Sequence, residues 1–401
     1  MKNAGILTIG NEILQGYTLD LNAQSISRQL TKRNIKTTIQ LTVPDEIFKI
    51  KEKIEKFVQK DYDYVFITGG LGPTHDDVTR QALSELFNSK LKFFKDRHIK
   101  ISEKFNKTDL PNCQSEILGI ANPLDNNVGT ALGMYFKYNN TELIVLPGVP
   151  IEMNAMLELY LNEKKSLKII DNNIVTINTA GIYETKLSDM MQEFMKKYNQ
   201  YVSFAFLPSY EGVKIRLTDL ETGYDINLIK EDLLQFLSDY AYGTDKESLE
   251  VIISKLIKKN KLKLSLSESC TGGYLAKRIT DISGSSDFFL GGIVAYSNSI
   301  KHSILDVPLD VLNDYGAVSK EVSELMTLNV SKKFKTDISI SCTGISGPSG
   351  GTDSKPVGTV FISIKFLDKL VTKKFIFRVN RKSHRVMTKQ AALYMLWSLM
   401  K

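Results

Sequence analysis

The sequence is poor in cysteine, histidine and long apolar runs. Its three cysteines, Cys113, Cys270 and Cys342, are odd in number and far apart. That argues against a disulfide framework and fits reduced thiols, so a cytoplasmic location is expected. There are four histidines, and no Cys/His spacing resembles a zinc site. No stretch approaches the ~20 apolar residues of a membrane span. The opening MKNAGILTIGNEIL has no basic segment ahead of a long apolar run, so neither a secretory signal nor a membrane partner is expected. Excess charge is also scarce. A net +7 over 401 residues, with Lys and Arg scattered apart from short runs such as 258–259 and 332–333, reads as solvated surface. It indicates no nucleic-acid groove, though a slightly basic surface helps attract phosphorylated small molecules.

What is present is ordinary globular composition, 42% hydrophobic and 24% charged. The length predicts two or three domains at roughly 100–200 residues each. In the first 160 or so residues, strand-like AGILTIG (4–10), DYVFITGG (63–70) and ELIVLPGVP (142–150) alternate with helix-like LNAQSISRQLTKRN (21–34) and IEMNAMLELYL (151–161). Such alternation predicts an α/β layer with a largely parallel sheet and a ligand crevice beyond the strands' carboxyl ends. From 165 to 245 the pattern changes to a small α+β module, with strands at 174–181 and 212–219 and helices at 186–198 and 227–240. A third α/β block follows. Leu249, Ile252, Ile253, Leu256 and Ile257 have helical period. In KLKLSLSES, Leu262, Leu264 and Leu266 alternate with residues expected to face outward, the signature of a strand. Further strands are predicted at 291–297, 337–342 and, as a pair, 356–379. A helix at 385–400 closes the block.

Two strand ends attract chemistry. In ITGGLGPTHDDVT (67–79), Gly69, Gly70 and Gly72 let backbone approach a ligand, and free N–H groups there suit phosphate. Thr74 lies in the same turn. Gly10 and Glu12 of GNEILQG and Gly148 of LPGVPIEM end neighbouring strands and complete the expected ligand-binding set. Asp76 and Asp77 are the candidate ligands for a divalent metal beside that phosphate; Asp77 is equally a candidate cap for the next helix. A glycine-rich turn is also often purely structural.

The other is SLSESCTGGYLAKRIT (265–280), where Ser269 and Cys270 stand at a strand-to-helix junction. A nucleophile there lies near the positive helix end, with N–H groups available for an oxyanion. Serine needs a base. His302 and His384 have no partner motif, whereas Tyr296 and Lys301 of YSNSIK offer a lysine base, if desolvation lowers its pKa. The Ser269, Tyr296 and Lys301 set is one option among several. A second glycine-rich run, SCTGISGPSGGTDSKPVGTV (341–360), suits phosphate or ribose or is simply a surface loop.

These motifs carry a family resemblance. GNEILQG, DLN (20–22), TGGLGPTHDDVT, NNVGTALGM (126–134) and LPGVPIEM resemble the N-terminal domain of the CinA family, itself similar to the molybdopterin-binding MoaB/MogA fold. SESCTGG, SGSSDFFLGGIVAYSNSIK (283–301), YGAVSKEV (315–322) and SCTGISGPSGGTDSKPVGTV resemble the family's C-terminal domain, a nicotinamide-nucleotide amidase. The resemblance implies three α/β domains: MoaB/MogA-like over 1–165, a KH-like α+β connector over 166–244, and the amidase over 245–401. It implies a catalytic Ser269, Tyr296 and Lys301 acting on nicotinamide mononucleotide without a cofactor. The expected substrate contacts are Glu268, Thr271, Gly272 and Gly273 on one side and Gly344, Ser346, Gly347, Gly350 and Gly351 on the other. Glu268 is expected either to anchor Lys301 or to fix the strand end. For the N-terminal domain the resemblance implies a nucleotide or pterin ligand and metal-dependent cleavage of ADP-ribose. It also implies a homodimer. The chain departs from the family at Ala131-Leu132-Gly133, where Ala-Pro-Gly is common, and at PNCQSEI (111–117), which lacks a lysine common in the family. Two rival readings remain: a non-catalytic nucleotide sensor and a molybdopterin-binding protein.

Overall fold

The computed structural model describes residues 2–107, 109–164, 167–169, 174–220, 222–245 and 247–401. The chain divides into two compact units, 1–173 and 174–401. The domain boundary expected at 165/166 falls on residues outside those described.

The first unit is built on a six-stranded sheet. Its order is Ile35–Val43, Lys2–Ile9, Tyr64–Thr68, Thr141–Leu146, Gly133–Tyr138, Asn122–Leu124. The first four strands are parallel and the last two antiparallel. Central strands are apolar on both faces, as a sheet covered by helices on both sides requires. Ile6, Phe66 and Ile144 face Ala23, Ile26, Met153 and Leu157 of the helices Leu21–Thr31 and Pro150–Glu163. Leu7, Val65 and Val145 face Ile50, Ile54 and Leu83 on the opposite side. Local signals start the helices. Asp20 Oδ1 accepts from Ala23 N at 2.8 Å, and Pro150 sits in the first turn of its helix. The strands Ile35–Val43, Gly133–Tyr138 and Asn122–Leu124 extend the sheet beyond the three expected from sequence.

The second unit holds two sheets. A four-stranded antiparallel sheet has the order Val202–Ser209, Gly212–Asp219, Ile174–Thr179, Ala241–Thr244. The helices Glu184–Tyr198 and Ile226–Phe236 share its core. This is the expected α+β module. The five-stranded sheet has the order Phe289–Val294, Leu264–Glu268, Ile338–Gly344, Thr359–Phe366, Lys369–Ile376. Its first three strands are parallel and the last two antiparallel. Leu264, Leu266, Ile338 and Ile340 pack with the helices Leu249–Lys259 and Arg381–Met400.

On the other face the sequence expectation needs correction. The residues alternating with Leu264 and Leu266 do not face solvent, because Ser265 and Ser267 are 0% exposed. They lie under the helix Lys320–Phe334 in a layer of hydroxyls. Ser267 Oγ donates to Met326 O, and Ser265 Oγ bonds Thr336 Oγ1 at 2.6 Å. Ser341, Ser363 and Thr327 bond to one another or to Ser323. Polar residues can be buried here because their hydrogen bonds are met internally.

Ions tie the two sheets together. Lys389 is 0% exposed and bonds Glu211 at 2.6 Å and Glu250 at 3.1 Å. Arg278 Nε reaches Glu250 at 2.8 Å. Burial alone raises the Glu250 pKa, but Lys389 and Arg278 outweigh it and hold it at about 2. No helix among the described residues is long and apolar enough to cross a membrane.

Candidate active site

Three parallel strands deliver the site. Leu264–Glu268 pairs with Phe289–Val294 and with Ile338–Gly344, so the segments following all three emerge at one end of the sheet. Ser269 follows directly, its N–H bonded to Cys342 O at 2.9 Å. The chain then turns through Gly272 and Gly273, both at positive φ (57° and 86°), into the helix Tyr274–Thr280. Glycine tolerates that backbone without a Cβ clash. The Glu268 carboxylate accepts from Leu275 N at 3.0 Å and Ala276 N at 2.8 Å. It fixes the helix start and does not anchor Lys301. Both its oxygens are engaged by backbone N–H groups, and the residue is 2% exposed.

Lys301 arrives on the short helix Asn298–Ser303, capped by Ser297. It is 1% exposed, and its Nζ lies 3.0 Å from Ser269 Oγ. The same amine reaches Ala295 O at 2.8 Å and Tyr296 O at 3.2 Å. Desolvation pushes its pKa down to about 8. In the neutral amine two N–H groups serve the two carbonyls, and the lone pair is left for the Ser269 proton. Cys270 is different. Its thiol is buried, and desolvation pushes it up to about 12. It is therefore a thiol at neutral pH, and the thiolate is the nucleophile.

Tyr296 stands in the cleft but not in a relay. Its side chain is 59% exposed, and its hydroxyl accepts from Arg381 Nη2 at 2.8 Å. Its hydrogen bond with Lys301 is made by the main-chain carbonyl. The cleft encloses about 170 Å³, lined by Ser269, Tyr296, Lys301, Thr343, Ser346 and Arg381 among others. Gly344 also lines it. Gly347 takes Arg381 Nη1 on its carbonyl at 3.2 Å. Gly350 and Gly351 are exposed farther along the loop. Thr271 is buried, and its carbonyl is held by Arg385 Nε at 2.9 Å. Arg381 and Arg385 were silent in the sequence because they lie in the first turns of the closing helix, outside any glycine motif; His384, weighed there only as a base for Ser269, bonds Ser346 instead. In a larger cleft of about 340 Å³ near Asp239, Tyr240, Lys373 and Tyr394, the Ser398 hydroxyl donates to Tyr394 O, and no serine–amine hydrogen bond is found there among the described residues.

In the first unit, strands Lys2–Ile9, Tyr64–Thr68 and Thr141–Leu146 lie side by side in register, so the turns at Gly10, Gly69 and Gly148 come together as expected. The glycines are needed for this. A Cβ on Gly69 would sit 2.1 Å from Ile9 O, and one on Gly70 2.2 Å from Thr79 Oγ1. Gly148 faces Gly69 across the crevice. Asn22 joins the turns, donating to Thr68 Oγ1 at 2.9 Å and Gly148 O at 2.7 Å. Its Oδ1 is buried without a partner among the described residues.

The expected metal pair does not fit. Asp77 accepts from Gly72 N at 2.7 Å, from Thr74 N at 2.9 Å and from the Thr74 hydroxyl. Its carboxylate closes its own loop, and it caps no helix: the following helix starts after Val78 without a side-chain cap. Asp76 is exposed beside His75. Glu12 is exposed next to Gly10. Among the described residues no three His, Cys, Asp or Glu side chains gather as a metal site.

These features define a multidomain α/β protein whose last sheet presents a buried serine–lysine pair. Comparison with known proteins narrows the class. Residues 246–400 match the CinA C-terminal domain family, and residues 5–166 match the family described as a probable molybdopterin binding domain. A CinA-like protein of Cytophaga hutchinsonii is 37% identical over 97% of this chain and 96% of its own. A putative competence-damage inducible protein of Halothermothrix orenii is 37% identical over 99% and 98%. A solved CinA structure from Thermoplasma acidophilum is 33% identical, covering 40% of this chain and 97% of that one, with a TM-score of 0.38. The chain belongs to the CinA family.

Proposed function

We propose that the second unit hydrolyses the carboxamide of nicotinamide mononucleotide to nicotinic acid mononucleotide and ammonia. The observation that carries this reading is the buried Lys301 amine 3.0 Å from Ser269 Oγ, with its pKa lowered to about 8. Ser269 Oγ attacks the carboxamide carbon as its proton passes to Lys301 Nζ. The tetrahedral oxyanion meets N–H groups of the Cys270–Gly273 turn. Lys301 returns the proton to the leaving nitrogen, the C–N bond breaks and ammonia departs. Water then attacks the acyl-serine with Lys301 again taking the proton. The acid is released and Ser269 regains its hydrogen. Tyr296 and Arg381 frame the entrance, and the exposed Arg381 guanidinium is the natural counter-charge for the nucleotide phosphate. No metal enters any step.

For the first unit we propose a nucleotide-binding crevice with ADP-ribose as the ligand. The supporting observation is the convergence of the turns at Gly10, Gly69 and Gly148, held together by Asn22 through Thr68 and Gly148. We assign it no metal-dependent step, since Asp77 is committed to its loop. The decisive experiment measures ammonia release from nicotinamide mononucleotide by the full chain and by Ser269→Ala. Release by the wild type alone supports the amidase; equal release by both eliminates the serine mechanism. Thermal stabilisation by ADP-ribose, but not by a pterin, supports the crevice assignment.

A further inference from the structure

Ser346 has no part in the reaction just described, yet it lines the same cleft as Ser269 and Lys301. It is 4% exposed. Its Oγ lies 2.9 Å from His384 Nδ1, and His384 Nε2 lies 3.1 Å from Gly358 O. The imidazole is 0% exposed and packs edge-on against Phe377. A carbonyl oxygen only accepts, so the ring proton resides on Nε2. Nδ1 is then an acceptor, and Ser346 gives it its single proton. Burial holds the His384 pKa below its ordinary value, which preserves the neutral ring.

A hydroxyl whose proton is committed to the interior offers the cleft only lone pairs. We infer that Ser346 is a specificity-determining residue that accepts an N–H or O–H donor from the ligand, with His384 as its positioning residue. On the amidase reading, on which this rests, the donor is the carboxamide NH₂ of the substrate. The product carboxylate has no proton to give, and its oxygens meet the Ser346 lone pairs unfavourably. Ser346 thus favours substrate over product. It also departs from the expectation that this loop's hydroxyls serve the phosphate, because a phosphate oxygen needs a donor.

The test uses calorimetry at about pH 8 on the full chain carrying Ser269→Ala, which prevents turnover. The probes are nicotinamide mononucleotide and nicotinic acid mononucleotide. With Ser346 intact the amide binds at least about tenfold tighter, the worth of one hydrogen bond. Adding Ser346→Ala brings the ratio towards one, chiefly by weakening the amide. Adding His384→Phe instead keeps the hydroxyl but frees its proton, so the carboxylate nucleotide tightens. Should His384→Phe fail to fold, Ser346→Ala decides alone. Equal weakening of both nucleotides by Ser346→Ala, or an unchanged ratio, overturns the inference and leaves the amidase reading standing. Failure of nicotinamide mononucleotide to bind the Ser269→Ala protein overturns both.

Discussion

The two glycine-rich strand ends resemble each other in sequence and differ in what their polar side chains are bound to. At Gly69–Asp77 the carboxylate that looked most ready for chemistry is saturated by two N–H groups and a hydroxyl of its own loop. At Ser269–Gly273 the carboxylate is likewise spent on the backbone, through Glu268. What distinguishes the second site is the amine that arrives from a neighbouring strand's extension. Lys301 is buried against two carbonyls and a serine, so desolvation governs its pKa. A desolvated base beside a hydroxyl is reactive; a carboxylate closing a loop is structural. Glycines and acids after a strand do not reveal which of these a site is. The partner brought from elsewhere does.

The largest effect expected from this contrast is on turnover. Lys301→Ala should lower kcat for ammonia release by about 10³-fold or more, since it removes the base that activates the nucleophile. Asp77→Ala should leave kcat unchanged. A tenfold loss in Asp77→Ala would break the comparison, because the two strand ends would then share one chemistry.

Next in size is the pH dependence. The active form of Lys301 is the neutral amine, and its pKa is lowered to about 8. Below that value the neutral fraction falls about tenfold per pH unit. Therefore kcat/KM should rise with pH and level off above about 8. A profile that is flat from about pH 6 to 9 would show that another group is the base.

Sequence patterning singled out both strand ends, because strand-to-turn transitions leave readable signals: apolar runs ending in glycine. It also paired Lys301 with Ser269, since YSNSIK lies beyond a strand end, and the two meet at 3.0 Å. It misread Ser265 and Ser267, because alternation reports which residues share a face and not what covers that face. A helix carrying Ser323 and Thr327 covers it. It left Glu268 and Asp77 open between ligand and structural roles, because a carboxylate's backbone N–H partners are encoded by no side-chain pattern. It passed over Arg381 and Arg385, which approach the cleft from more than 80 residues away along the chain from Tyr296. The edge strand Ile35–Val43 was also inconspicuous, since its burial is only partial.

A smaller effect sharpens the structural half of the comparison. Asp77→Ala removes the side-chain acceptor of Gly72 N and Thr74 N, leaving these groups to solvent. Hydrogen bonds to a charged acceptor make this a loss of about 1–3 kcal/mol, softened by the loop's partial exposure. Thermal unfolding should show the earliest transition moved down by several degrees while ammonia release persists. An unshifted transition would mean that the carboxylate is free for a ligand after all.

The smallest effect concerns the residue beside the nucleophile. Cys270 is buried with its pKa raised to about 12, so at neutral pH it is a small apolar thiol. Its neighbour Ser269 has a base at 3.0 Å. Cys270→Ala should therefore keep kcat within about threefold of the wild type, the change arising only from a small loss of packing around the turn. Thiol-directed alkylation should likewise inactivate slowly, because little thiolate is present. If Cys270→Ala lost activity as completely as Lys301→Ala, the thiol would have to be ionised by the amine during turnover. The nucleophile would then be sulfur, and the serine–lysine contact would be a means of holding Lys301 rather than the reactive pair.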